Sequence, residues 1–329
     1  MAMSSSAAAP LLHHTASRKQ AETESPYLPP SKQAWDRKKA AADLVAGVYA
    51  LAAERDISKH AATVARCSET LLLSEVVNPE TGELGHKVQS WKCRERHCPV
   101  CQSARARKLH REFAAALPEI MKQVQGGVFL FLTLTVRNCS IEELRPTLAD
   151  MGKAWKRLIQ QKEFRIVKGW IRGTEVTRAD DGQSHPHFHA LLLVPPYYFA
   201  GKSYIKQSRW VELWQAAARL NYAPSVDIRR VKTAKGGIEE AVKAATYSIK
   251  PAELSNNPEW FHEFHKQVAS LRFLATGGII KAALGGKAGD LADDIAEGKE
   301  PEGEQGRTLV FDWTRPEKRY RRRKETRPE

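Results

Sequence analysis

The chain has 329 residues, which at roughly 100–200 residues per domain allows one large domain or two modest ones. Hydrophobic residues make up 42%, enough for an ordinary core, and no apolar run reaches the length of about 18 residues that a membrane span needs. A formal net charge of +14 admits a merely soluble basic protein, but points further to a polyanionic partner, nucleic acid above all, because Lys and Arg neutralise phosphates and release their counterions.

Residues 1–35 read as a disordered leader. Met1–Gln33 is rich in Ala, Ser and Pro, lacks the apolar block of a secretory signal and is too poor in basic residues for a transit peptide. Asp36 to Arg55 carries Leu44, Val45, Val48, Tyr49 and Leu51 at helical spacing. Residues 70–92 predict a hairpin turning at Asn78-Pro79-Glu80-Thr81-Gly82. A helix over 102–125 begins strongly basic, and Val128 to Val136 is apolar or β-branched enough for a central strand. A helix from about Ser140 to Gln161 follows. Lys168–Thr177 and His185–Val194 then predict two strands joined by a polar turn containing Asp181-Gly182. Ser208–Leu220 reads as helix, Val226–Val231 as strand, and 236–250 and 258–274 as helices. Lys287–Gly306 reads as an acidic, Gly-rich linker. Arg315–Arg327, with Arg321, Arg322 and Arg323, reads as a disordered basic tail suited to phosphate contact or simply to solubility. The expected organisation is a leader (1–35), a helix with a cysteine module (36–110), a catalytic domain (111–285), and a linker with tail (286–329).

Five cysteines do not make a secreted disulfide framework, and their usage suits a cytoplasmic protein. The spacing Cys67-x25-Cys93-x4-Cys98-x2-Cys101 suits tetrahedral zinc held by sulfur, the hairpin bringing Cys67 back to Cys93. The alternatives are a buried Cys67 beside a Cys98–Cys101 redox pair, or His97 as a substitute ligand. Cys139 stands apart. Arg94, Arg96, Arg105 and Arg107 surround the cluster and are candidate contacts to a DNA backbone.

His185, His187 and His189 fall at alternate positions, so a strand places all three on one face and Phe188 on the other. With the hairpin centred near Asp181, Glu175 lies directly across from His187. Glu175, His187 and one neighbouring histidine then hold a divalent ion with coordination sites left open, the mark of a catalytic metal. Mixed nitrogen and oxygen ligands suit Mn²⁺, Co²⁺ or Zn²⁺ by affinity and Mg²⁺ by abundance. Downstream, Tyr247 and Lys250 share a helical face, with Lys243 and Glu240 on roughly the same side. A neighbouring cation favours the phenolate and makes Tyr247 a candidate nucleophile. Tyr197-Tyr198 is the rival pair.

These elements in this order resemble the HUH endonucleases, and most closely the rolling-circle replication initiators of small bacterial plasmids. The resemblance rests on Phe131-Leu132-Thr133-Leu134-Thr135 with Asn138, on His185-Pro186-His187-Phe188-His189 preceded by Gly173-Thr174-Glu175, on Tyr247-Ser248-Ile249-Lys250, and on the cysteine run and the Leu271-Arg272 and Gly277-Gly278 stretches. It covers roughly residues 60–285. It implies an α+β fold, a central antiparallel sheet flanked by helices with the histidines on a middle strand, and here an N-terminal zinc-binding module. It implies a catalytic Mn²⁺ or Mg²⁺ held by Glu175, His187 and His189, with His185 also in reach, while a structural Zn²⁺ is the expectation from the cysteine spacing. Tyr247 attacks a phosphate at a plasmid origin presented as single strand or hairpin. Lys250 assists, and the freed 3′-hydroxyl primes a host polymerase beside a host helicase. A homodimer is compatible with this reading. Related initiators often carry a glutamate one turn before the tyrosine; here that position is Lys243, leaving Glu240 or Glu239 to activate water at termination. A transposase or mobilisation relaxase would share the chemistry, and a catalytically inactive zinc-containing DNA-binding regulator is the reading from another class.

Overall fold

A computed structural model of the chain describes residues 26–77, 82, 84–232, 257–285 and 305–324. In chain order its helices are α1 (Ala34–Ala50), α2 (Arg55–Ser58), α3 (His60–Arg66), α4 (Pro99–Gln123), α5 (Leu144–Leu158), α6 (Gln207–Ala218), α7 (Pro258–Gln267) and α8 (Gly278–Ala283). Its strands are β1 (Thr70–Val77), β2 (Leu84–Gln89), β3 (Val128–Thr135), β4 (Gly169–Arg178), β5 (Ser184–Val194), β6 (Val226–Arg230), β7 (Leu274–Gly277), β8 (Gln305–Thr314) and β9 (Arg319–Arg322). The fold class is α+β with two antiparallel sheets flanked by helices. No helix among the described residues is long and apolar enough to cross a membrane.

The chain divides into two compact units. The first draws on residues 1–40, 68–91 and 299–329. Its sheet has the order β2-β1-β8-β9, every pair antiparallel. The predicted hairpin is present as β1–β2, with Leu72 opposite Gln89. The C-terminal segment departs from expectation: residues 305–324 are strands and a turn, not the end of a linker and a disordered tail. Leu309, Phe311 and Trp313 alternate along β8 and are buried with Leu71, Leu73 and Tyr320, so one face of this sheet carries an apolar layer. Tyr320 fixes β9 in place, its hydroxyl donating to the Ser68 carbonyl (2.5 Å) and its N–H to Asp36 (2.9 Å).

The second unit draws on residues 41–67 and 92–298. Its five-stranded sheet has the order β6-β3-β5-β4-β7. β5 is the middle strand, and Ala190–Val194 is buried on both faces, which explains why it reads as a continuous apolar run. On one face Phe188 meets Trp155 of α5 and Trp214 of α6, both at 6.3 Å between rings. The Arg172 guanidinium lies 4.1 Å over the Phe188 ring on this face. Burial pulls Arg172 down to about 10, still above neutrality, so it stays a cation held by ring faces. On the other face Leu109, Phe113 and Ile120 of α4 and Ile280 of α8 pack with Phe129, Ile171, Leu191 and Leu193. Beyond Leu191 towards the strand start, that same face turns polar, and the histidines stand there.

Two boundaries differ from expectation. The helix expected over 258–274 ends at Gln267, and Leu274–Gly277 becomes an edge strand beside β4. A division at residue 110 would cut α4, whose first turn carries Cys101 and whose later turns pack on the five-stranded sheet. The cysteines and the histidine strand therefore belong to one unit. The helix expected over 236–250 lies outside the described residues.

Gly278 connects β7 to α8 with φ +60°, and a Cβ there would collide with the Lys168 carbonyl and come within 2.9 Å of the Gly169 Cα. Gly278→Ala is expected to destabilise the protein by about 2 kcal/mol or more, seen as a fall in Tm of roughly 4–8 °C. Gly47→Ala, in α1 with nothing within 4 Å of the added carbon, is expected to leave Tm unchanged or raise it slightly.

Candidate functional site

The β4–β5 register places Glu175 opposite His187 and Gly173 opposite His189, as the hairpin centre at Asp181 requires. The β3–β5 register places Thr133 opposite His189 and Thr135 opposite His187. Period two then puts Glu175, the histidines and both threonines on one face. The Glu175 Oε2 lies 3.2 Å from His187 Nε2 and 3.0 Å from His189 Nε2. These three ligand atoms lie within 4.8 Å of one another, a group that does not include His185.

Burial works to raise the Glu175 carboxyl, but the hydrogen bonds from His187 and His189 overcome it and hold the group at about 2. The outer nitrogens are fixed as well. His187 Nδ1–H donates to the His185 carbonyl (3.2 Å), and His189 Nδ1 meets the Thr133 hydroxyl (3.1 Å). Phe131 stacks on the His189 ring at 5.3 Å. Both imidazoles thus present Nε2 to the carboxylate, the orientation that partners of metal-bound histidines normally impose. Two imidazole nitrogens and one carboxylate oxygen fit a divalent ion such as Mn²⁺ or Mg²⁺ with positions left for substrate. His185 is held apart: its Nδ1–H donates to Asn138 Oδ1 (2.6 Å). Desolvation, then repulsion by His187, lowers its affinity for a proton.

Sequence reasoning assigned Thr133 and Asn138 to a motif without a role. Their signal was available: Thr133 faces the histidine strand by alternation, and Asn138 follows the end of β3. The rival tyrosines are separated from the group. Tyr198 is buried and its hydroxyl donates to the Ile205 carbonyl (3.2 Å). Tyr197 lies past the end of β5, which from His189 to Val194 alone spans roughly 17 Å.

The four cysteines converge. Cys101 Sγ lies 3.6 Å from Cys67 Sγ and 3.5 Å from Cys93 Sγ, and all four sulfurs fall within 4.8 Å of one another with no disulfide among them. Tetrahedral zinc with Zn–S of about 2.3 Å needs sulfur separations of roughly 3.8 Å, close to those observed. Contacts with the other three thiols pull the Cys67 thiol down, while contacts with Cys101 and Cys67 push Cys93 and Cys98 up. Four thiols this close cannot ionise together unless a cation joins them. His97 is not in the group; it packs against Phe261, Phe264 and His265.

The arginines beside the cysteines are partly committed to the protein. Arg105 donates to the carbonyls of Arg94, Glu95 and Arg96, and Arg96 donates to the Leu271 carbonyl (2.6 Å). Arg107 donates to the Ser103 hydroxyl, and Arg94 takes a left-handed φ of 62°. In the other unit Arg321 pairs with Glu317 and Arg323 forms a double hydrogen bond to Asp312, with Arg322 between them on β9. Glu239, Glu240, Lys243, Tyr247 and Lys250 lie outside the described residues.

With the Glu175 carboxyl at about 2 against an ordinary 4.5, its ionisation stabilises the folded state above about pH 4.5, and that contribution disappears as pH falls towards 2. Melting measured against pH in the presence of a chelator should show an acid limb in that window that is weaker in Glu175→Gln.

A family model described as Replication protein matches residues 86–321. The Protein rep of Lentilactobacillus hilgardii is 34% identical over 235 residues, covering 68% of this chain and 74% of that protein. The Protein rep of Bacillus amyloliquefaciens is 39% identical over 208 residues, covering 61% and 60%. The Replication protein of Staphylococcus aureus is 30% identical over 222 residues, covering 61% of this chain and 93% of its own length. No solved structure matches. The family match runs from within β2 to within β9 and takes in the Glu175 and histidine group and three of the four cysteines, so the chain belongs to the Replication protein family, the initiators of plasmid replication.

Proposed function

We propose that this protein nicks and rejoins DNA at a plasmid origin by tyrosine transesterification and so starts rolling-circle replication. The observation that carries this reading is the Glu175–His187–His189 group, set on adjacent internal strands with its nitrogens pre-oriented. The family match favours replication over transposition or mobilisation. A divalent cation held by these three residues would supply charge neutralisation at a scissile phosphate. The chain's own groups do the rest. Tyr247 Oη attacks phosphorus, the bond to O3′ breaks, and the electron pair leaves with O3′, which takes a proton and becomes the free 3′-hydroxyl. The 5′-phosphate stays on Tyr247, so the bond energy is retained for rejoining. Lys250 neutralises the phenolate or the phosphate, and Glu240, or Glu239, activates water at termination. The target is single-stranded or extruded as a hairpin, since the backbone must reach the sheet face. Host polymerase and helicase would act from the freed end in the bacterial cytoplasm.

The cysteine group is read as a structural Zn²⁺ site, supported by the sulfur spacing. Because Cys98 caps α4 and Cys101 lies in its first turn, while its later turns cover the catalytic sheet, the cysteines position that helix. Exposed arginines around them and on β9 are proposed as backbone contacts to DNA.

Supercoiled DNA carrying the cognate origin should be nicked with Mn²⁺ or Mg²⁺, with protein left on the 5′ end. Tyr247→Phe should bind without nicking, and full activity in that variant would sink the assignment. Cys101→Ser should lose about one equivalent of bound zinc by elemental analysis and lower Tm, while bound zinc unchanged from wild type would refute the cysteine reading.

A further inference from the structure

After β5 the chain runs Pro195-Pro196-Tyr197-Tyr198-Phe199-Ala200-Gly201-Lys202-Ser203-Tyr204 through two short 3-10 turns, Pro196–Phe199 and Gly201–Ser203. Tyr198 anchors this segment. It is 1% exposed, its hydroxyl donates to the Ile205 carbonyl, and the Trp210 indole N–H reaches its oxygen at 3.4 Å. Around the anchor three rings face outward: Tyr197 is 52% exposed, Phe199 41% and Tyr204 50%. Phe199 and Tyr204 lie 6.3 Å apart at a shallow 32° between planes. The Arg230 guanidinium sits 5.2 Å over the Phe199 ring. Lys202 and Lys206 are exposed beside them, and no Asp or Glu occurs between Asp181 and Glu212.

A single exposed ring needs no account, but three together on a buried anchor, with Lys202, Lys206 and Arg230 beside them, do. The centre of a protein interface is usually depleted in lysine. Flat rings interleaved with cations instead match a ligand that offers π faces and phosphates together, and single-stranded nucleic acid is that ligand. A duplex presents base edges in its grooves and keeps its base faces stacked inside.

We propose that Tyr197, Phe199, Tyr204 and Arg230 form a stacking platform for single-stranded DNA, separate from the Glu175–His187–His189 group. Tyr197, Phe199 and Tyr204 lie past the opposite end of β5, whose run from His189 to Val194 alone spans roughly 17 Å at about 3.3 Å per strand residue. Arg230 pairs with Leu130, three residues from Thr133, and so projects from the sheet face opposite the histidines. The platform therefore holds DNA flanking the nick and not the scissile phosphate. The identity of the nucleic acid as DNA rests on the proposed function; the stacking itself does not.

The test is binding of the full chain to fluorescent (dT)30 and to a 30-base-pair duplex. The double variant Tyr197→Ala/Tyr204→Ala should lose at least tenfold affinity for (dT)30, keep its salt slope and bind the duplex as before. Arg230→Gln should reduce the salt slope by about 0.7, as expected for one lost phosphate contact to a single strand. Tyr204→Trp should retain affinity and have its added emission quenched by (dT)30. Unchanged (dT)30 affinity in the double alanine variant, or no quenching of the new tryptophan, would overturn the proposal and turn attention to a protein partner. Nicking by Tyr247→Phe would overturn the catalytic reading while leaving these binding results as they stand.

Discussion

The antiparallel register of β3, β5 and β4 is the constraint on which the site depends. Opposite residues in such a ladder have their Cβ atoms about 4.5–5.5 Å apart and share a face. Glu175 across from His187, and Thr133 across from His189, follow from that register alone. A slip of one residue would move the carboxylate to the far face and put Phe188 among the ligands. The packing on that far face resists the slip, because Phe188 is held between Trp155, Trp214 and Arg172. The apolar side of the strand thus guards the geometry of the polar side.

The same logic extends outward through α4. This helix starts just after its N-cap Cys98, carries Cys101 in its first turn, and ends by packing Phe113 and Ile120 on the sheet face that holds the histidines. Four thiols gathered within 4.8 Å fix where the helix starts, and the core fixes where it ends. Arg105, donating to three carbonyls of the loop between Cys93 and Cys98, holds the connecting backbone. A basic residue next to a functional cluster can therefore be structural, and here its hydrogen bonds show it.

Much of the second unit was legible in the sequence because its signals are local. The Ala190–Val194 run, the alternating histidines and the Asp181-Gly182 turn each act over a few residues, and together they set the hairpin and the Glu175–His187 pairing. The short edge strand β7 was not legible: four residues, Leu274–Gly277, show little pattern and form a strand by bonding to β4. The C-terminal strands were hidden by composition, since Arg321 and Arg323 read as solvated charge until Glu317 and Asp312 appear beside them.

The sequence by itself determined the chemistry on offer: which residues can ligate, which can attack, and which face each takes within its own strand. Those are consequences of side-chain type and period-two geometry, and both travel with the local chain. Only the tertiary structure decided that His185 belongs to Asn138 rather than to the ligand group, and that Thr133 orients His189. It also decided that Tyr198 is buried with its hydroxyl on the Ile205 carbonyl. Each of those outcomes depends on a partner supplied by another segment, and spacing along one strand carries no information about it.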